Sequence, residues 1–166
     1  MPEPLQNISE NPVSPEHASL VHKIAADAAS FLKLDEQTSP PASVVNSVDD
    51  YIHKLQNGEV TAPEGEDVKI FFGCLWGVQL VREFGWEWAN VIFHDHGDTE
   101  AMGVFSKDRS LAIYPFHFIT GCLENDAPVT IMLAFSMLLD GSEIPELPPG
   151  GYENLMDNVH HIVPRD

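Results

Sequence analysis

His94-Asp95-His96-Gly97-Asp98, with Glu100 two residues further on, is the densest run of groups able to do chemistry in this chain. Alternate side chains of a strand point to one face, so His94 and His96 could offer two imidazoles to a single ion. Asp98 or Glu100 would then complete a three-ligand metal site with a position left open for water, the layout of a small metal-dependent hydrolase. The same residues also spell a polar hairpin turn, in which Asp and Gly serve the backbone. Such a turn would break the alternation after Asp95. The spacing leaves both readings open.

Other reactive constellations are weaker. His160-His161 are adjacent, so on an extended segment they point in opposite directions and read as surface residues. His117, between two phenylalanines, reads as a satisfied, partly buried histidine. Ser106 and Ser110 flank the Lys107–Ser110 turn without a nearby histidine, and no Gly-x-Ser-x-Gly elbow is present. The run from Gly73 to Gln79 lacks the Gly-Lys-Ser/Thr ending of a phosphate loop. Cys74 and Cys122 sit in apolar stretches and read as reduced, buried thiols, although their spacing does not exclude a disulfide. These residues lead to the expectation of no catalytic residue and no cofactor, and of a chain that is more a binding protein than an enzyme.

Two features could make a binding surface. Trp86 and Trp88 lie two apart, on one face of a strand with Glu87 on the other. They are core anchors if that face meets helices, and a hot spot if it is open. Arg82 and Arg109 stand out because bases are scarce, and each is expected to pair with a local carboxylate.

The chain has 166 residues, 26 Asp and Glu against 8 Lys and Arg, and a net charge of -18. The acids are spread evenly, 13 against 5 bases in residues 1–83 and 13 against 3 in 84–166. That field repels phosphate backbones and anionic lipid, so neither nucleic acid nor a membrane is an expected partner. A basic protein would be steered in by it. With 43% hydrophobic residues the chain can build a core, and the length suits one domain. No secretory signal is visible in MPEPLQNISENPVSPE, which leads to the expectation of a cytoplasmic protein.

The elements that must position these groups follow from period and punctuation. Residues 1–14, with three prolines, read as a loose arm. The spacing predicts a helix from Pro15 to about Leu34, capped by Ser14, with Leu20, Val21, Ile24, Ala25, Ala28 and Phe31 on its apolar face. Residues 35–43 break the chain at two prolines. A second helix is expected from Ser47, where Ser47 and Asp50 resemble a capping box, to Asn57-Gly58. A third, from Glu66 to Phe84, is apolar on more than one side and should be central, with Gly85 ending it. Gly73 and Gly77, one turn apart, allow a neighbouring backbone to approach closely.

Strands are expected at 86–94, 101–106 and 111–114, an antiparallel meander of three. A short helix is expected over 116–125 and another from Pro128, ending at Asp140-Gly141. The domain is thus α+β over 15–144, and the Pro- and Gly-rich residues 145–166 read as a tail over the surface with a short turn at 152–158. A small-ligand pocket between the central helix and the sheet, walled by Trp86 or Trp88, is a further expectation. A three-stranded sheet also has two edges through which a homodimer could form.

Gly73, Gly77, Gly85-Trp86, Trp88, Asp108-Arg109 and Tyr114-Pro115-Phe116 together resemble a bacterial family of domains of unknown function, the domain-of-unknown-function 3806 type. The resemblance covers about residues 45–125. It implies a bacterial source and a single domain, and it carries no activity or site residue to transfer. The His94-Asp95-His96 segment is not among that family's motifs. The function expected from the residues is therefore non-catalytic protein binding, in the manner of an immunity protein that blocks a basic effector. A metal site at His94, His96 and Asp98 is the alternative.

Overall fold

A computed structural model describes residues 8–35, 37–125, 128–141, 147 and 149–156. Along the chain run β1 (Ile8–Pro12), α1 (Pro15–Phe31), α2 (Pro41–Gln56), α3 (Val68–Phe84), β2 (Glu87–Phe93) and a 3₁₀ turn (His94–His96). Then come β3 (Thr99–Phe105), β4 (Leu111–Ile113), α4 (Pro115–Asn125), α5 (Ile131–Asp140) and β5 (Glu153–Asn154). The fold is α+β, with the helices packed on one face of a mixed sheet.

The helix ends follow local chemistry. Ser14 accepts from the His17 amide and Pro15 occupies the first turn of α1. Asp67 caps α3, and Gly85 ends it in the left-handed region at φ 70°. The second helix starts earlier than the Ser47-Asp50 pattern suggested. Pro40 stays extended at ψ 132° and Pro41 enters the first turn, where a missing N–H costs nothing. Asp50, now inside the helix, pairs with Lys54 at 3.0 Å, while Asp49 Oδ2 accepts the Met132 amide at 2.8 Å and so caps α5 from a neighbouring helix.

All residues of α3 from Phe71 to Leu80 are buried, which makes it the centre of the helical layer. Helix α1 lies against it through Val21, Ala25, Ala28 and Ala29, small residues that permit a short separation. Leu20 and Phe31, expected on the buried face, are 50% and 43% exposed, because the alanine stripe turns them to the margin of that contact. Phe31 still meets Tyr51 and Phe71 edge-on.

Among the described residues the sheet has five strands, not three, in the order β1-β2-β3-β4-β5. The first four are antiparallel neighbours, and β5 runs parallel to β4. Residues 8–12, expected within a loose arm, pair along β2 from Ile8 opposite Phe93 to Pro12 opposite Ala89. An edge strand needs main-chain bonds on one side only, so the absence of an alternating apolar pattern does not prevent it, and proline is tolerated there. Glu153 and Asn154, expected as surface tail, pair with Leu111 and Ala112, and Leu155 and Met156 are buried.

The two glycines of α3 are occupied by rings rather than by a backbone. A Cβ on Gly77 would fall inside the indole of Trp88, and one on Gly73 would lie 2.6 Å from Phe116 Cδ1. Trp88 and Phe116 stack with planes 19° apart, so the two notches seat one aromatic pair. Trp88 Nε1 is buried and, among the described residues, has no hydrogen-bond partner. Trp86 is 6% exposed and tilts against Phe84. Both indoles pack against the helical core, Trp86 buried and Trp88 half-buried.

Gly77→Ala is expected to lower unfolding free energy by about 1–3 kcal/mol through overpacking against Trp88, as measured by chemical denaturation. Gly121→Ala in α4, where the added methyl meets nothing within 4 Å, is the control. It should leave stability unchanged or raise it by up to about 1 kcal/mol.

Candidate functional site

The turn between β3 and β4 ties together segments far apart in sequence. Asp108 accepts from the Ser110 side chain and amide, which holds its carboxyl below the usual range. Arg109 takes a left-handed backbone at φ 59°, a conformation that costs a non-glycine residue about 1 kcal/mol. Its guanidinium donates from Nε to Glu10 Oε1 at 2.6 Å and from Nη2 to Glu10 Oε2 at 2.9 Å. Nη1 donates to Glu87 Oε1 and to the Ser106 carbonyl, each at 2.9 Å. Tyr152 Oη donates to Glu10 Oε1 at 2.9 Å. The same turn bonds the C-terminal segment through its backbone: Gly150 N to Asp108 O, Tyr152 N to Arg109 O and Glu153 N to Ser110 O, at 2.8–3.1 Å.

Arg109 thus pairs with a carboxylate 99 residues away as well as with Glu87 from the nearby strand. Its hydrogen bonds hold the Glu10 carboxyl below the ordinary value, and burial first, then Glu10, raises the Tyr152 phenol. Arg82 bonds groups other than those of this junction. It donates to the carbonyls of Ser39 and Gln37 and to Gln79 Oε1, fixing the connection that precedes α2.

Beside this junction, the sheet face turned away from the helices carries a second apolar cluster: Ala89, Val91, Phe105, Ala112 and Tyr114. Rings run through it in sequence. Phe93 meets Tyr114, Tyr114 meets Phe105, and Phe105 meets Tyr152, with centroids 5.5–5.8 Å apart. The Arg109 guanidinium lies 5.8 Å over Phe105. Gly103 makes room for the Tyr114 ring, since a Cβ there would sit 2.8 Å from it.

A cavity of about 600 Å³ opens where β4 ends. Strand β4 has only three residues, because Pro115 cannot donate to a ladder and instead starts α4. The first half of β3 therefore runs on beyond it. One wall is Phe93 with Thr99, Glu100, Ala101 and Met102; another is Tyr114, Phe116 and His117; Tyr152 and Asn154 close the third side. Among the described residues no lysine or arginine lines it, and Glu100 supplies the acid. His117 is exposed at this mouth rather than partly buried among the aromatics. The sequence signals that could have found the site are the Tyr114-Pro115-Phe116 ending of β4 and the unequal strand lengths on either side of the turn. Nothing in the local pattern marks Phe93, Met102 or Tyr152 as lining residues. The ligand pocket expected between central helix and sheet is filled by Trp88 over Gly77, and the cavity lies on the far side of the Trp88–Phe116 stack.

The His94–Asp98 segment is not a strand. His94, Asp95 and His96 make a 3₁₀ turn, and Gly97 and Asp98 are both left-handed, at φ 70° and 58°. The alternation that would aim two imidazoles at one ion is therefore broken at His94. His94 Nδ1 lies 2.8 Å from Asp98 Oδ1, and its Nε2 shares a 2.6 Å hydrogen bond with Ser9 Oγ on β1. The His96 side chain and His160-His161 lie outside the described residues. Among the described residues no group of three or more His, Cys, Asp or Glu side chains is arranged to hold an ion. Cys74 and Cys122 are buried free thiols, pushed by burial to about 12 and about 11, so neither is a thiolate near neutrality. Among the described residues no helix is long and apolar enough to cross a membrane.

Two outcomes are expected. Folding lowers the Glu10 pKa, so the stability it contributes is fully present above 4.5 and is lost as the pH falls through the lower folded value. Glu10→Gln should cost about 1–2 kcal/mol near neutrality, reduced by partial exposure. Denaturation curves of the two proteins should converge on acidification. Zinc or manganese added to protein purified without a histidine tag should leave its melting temperature unchanged, since both His94 nitrogens are engaged within the chain; a rise would assign an ion to the turn. Comparison with protein-family models, with curated proteins and with solved structures finds no match to this chain.

Proposed function

We propose that this chain is a non-catalytic binding domain for a basic protein, and that the aromatic cavity past the end of β4 receives the partner's anchoring group. The observation that carries the reading is the chemistry of the cavity. Phe93, Tyr114, Phe116 and Tyr152 present rings, Glu100 presents a carboxylate, and no lysine or arginine among the described residues lines the walls. Ring faces attract a desolvated ammonium or guanidinium, and the net charge of -18 raises the local concentration of any cationic partner. An immunity-like inhibitor of a basic effector is one form such a protein would take.

The size of the opening, about 600 Å³, favours a second reading, a small apolar ligand, because pockets for such molecules span about 300–1,000 Å³. The two differ in their response to salt. Binding of basic proteins, followed by titration calorimetry, should weaken steeply as ionic strength rises and should fall further in Glu100→Lys. Affinity indifferent to salt and to Glu100→Lys would sink the basic-partner reading. Saturable uptake of an uncharged aromatic probe, blocked by Ala101→Trp, would favour the small ligand.

A further inference from the structure

We propose that the partner is held as an extended basic segment that adds to the uncovered margin of β3, with its main chain bonded to Glu100 and Met102 and one cationic side chain in the aromatic cavity. This rests on the basic-partner reading and deepens it. The backbone carries the first part of the argument. Ser106 N donates to Leu111 O, and Val104 lies opposite Ile113. In an antiparallel ladder, successive residues direct their N–H and C=O groups to opposite sides. Val104 and Ser106 face β4, so Met102 and Glu100 present theirs to the same side, away from β2. Strand β4 covers only Val104 and Phe105, because Pro115 has already turned the chain into α4. Among the described residues, no strand pairs with Glu100 or Met102 on that side.

The cavity supplies the second part. Glu100 and Met102 are themselves lining residues, so a segment bonded to them lies along the cavity mouth. Its side chains would alternate between the two faces of the sheet, and those on the face carrying Phe93, Tyr114 and Tyr152 would meet the rings. Main-chain bonds would give affinity and the ring-lined cavity would give side-chain selectivity, the division of labour in strand addition. Charge supplies the third. Glu100 lines the mouth, Asp95 and Asp98 lie in the turn that leads into β3, and the whole chain is anionic. A lysine or arginine is the residue this arrangement selects.

A labelled peptide of alternating lysine and valine is the probe, titrated against the full chain at low and high salt, with a second peptide methylated on alternate backbone nitrogens. The unmethylated peptide should bind, should protect the Glu100 and Met102 amides from hydrogen exchange, and should bind about tenfold better than a version methylated at the bonding positions. Met102→Pro removes an amide that faces away from β2 and should weaken binding to a similar degree; the methylated peptide keeps the test valid should that variant fold poorly. Equal binding of both peptides, with salt dependence retained, would overturn strand addition and leave the basic-partner reading in place. Failure of every basic peptide to bind would sink both. A homodimer that Met102→Pro dissolves would give the margin to a second copy and overturn the proposal.

Discussion

The fork between Arg109 and Glu10 is the contact on which the sheet's margins depend. A single guanidinium on a tight turn bonds both oxygens of a carboxylate from the far end of the chain, a second carboxylate on β2 and its own turn's carbonyl. Planar, bidentate geometry suits arginine to this and not lysine. The left-handed backbone at Arg109 is held in place by the bonds around it, and Tyr152, also left-handed, bonds the same residue through its amide. Two short strands with few apolar side chains are fixed to the sheet by one polar junction.

That junction explains why the cavity exists. Strand β5 is held beside β4 and Tyr152 is held over Phe105, so among the described residues the rings of the second cluster are braced by polar contacts. On the opposite face, the notches at Gly73 and Gly77 take in Phe116 and Trp88. Phe116 is thereby drawn toward α3 at the point where the chain leaves the sheet, leaving the first half of β3 paired only with β2 among the described strands. Packing on one side and a polar fork on the other produce an opening between them.

Much of the helical layer was legible because helices declare themselves locally. The apolar run of α3, the cap at Ser14 and the stop at Gly85 depend on residues within a turn or two of each other. The three middle strands were legible for the same reason, being β-rich runs separated by short turns. Residues 8–12 and 153–154 were not, because their strand character lies in backbone pairing with distant partners. The start of α2 was misplaced because proline signals both a break and a helix start, and only the extended ψ of Pro40 decides between them. The polar segment at 94–98 carried two meanings, and the left-handed backbone at Gly97 and Asp98 resolves its geometry as a turn.

By itself, the sequence determined the α+β class, the central helix and the acidity, all of which follow from composition and short-range periodicity. Tertiary structure alone decided that a fork of charge would join the first strand to a turn 99 residues later, and that rings from three separate segments would gather around one opening. Neither could be read earlier, because hydrogen bonds and ring contacts are set by distance in space, and chain closure brings those residues together only once the sheet has formed.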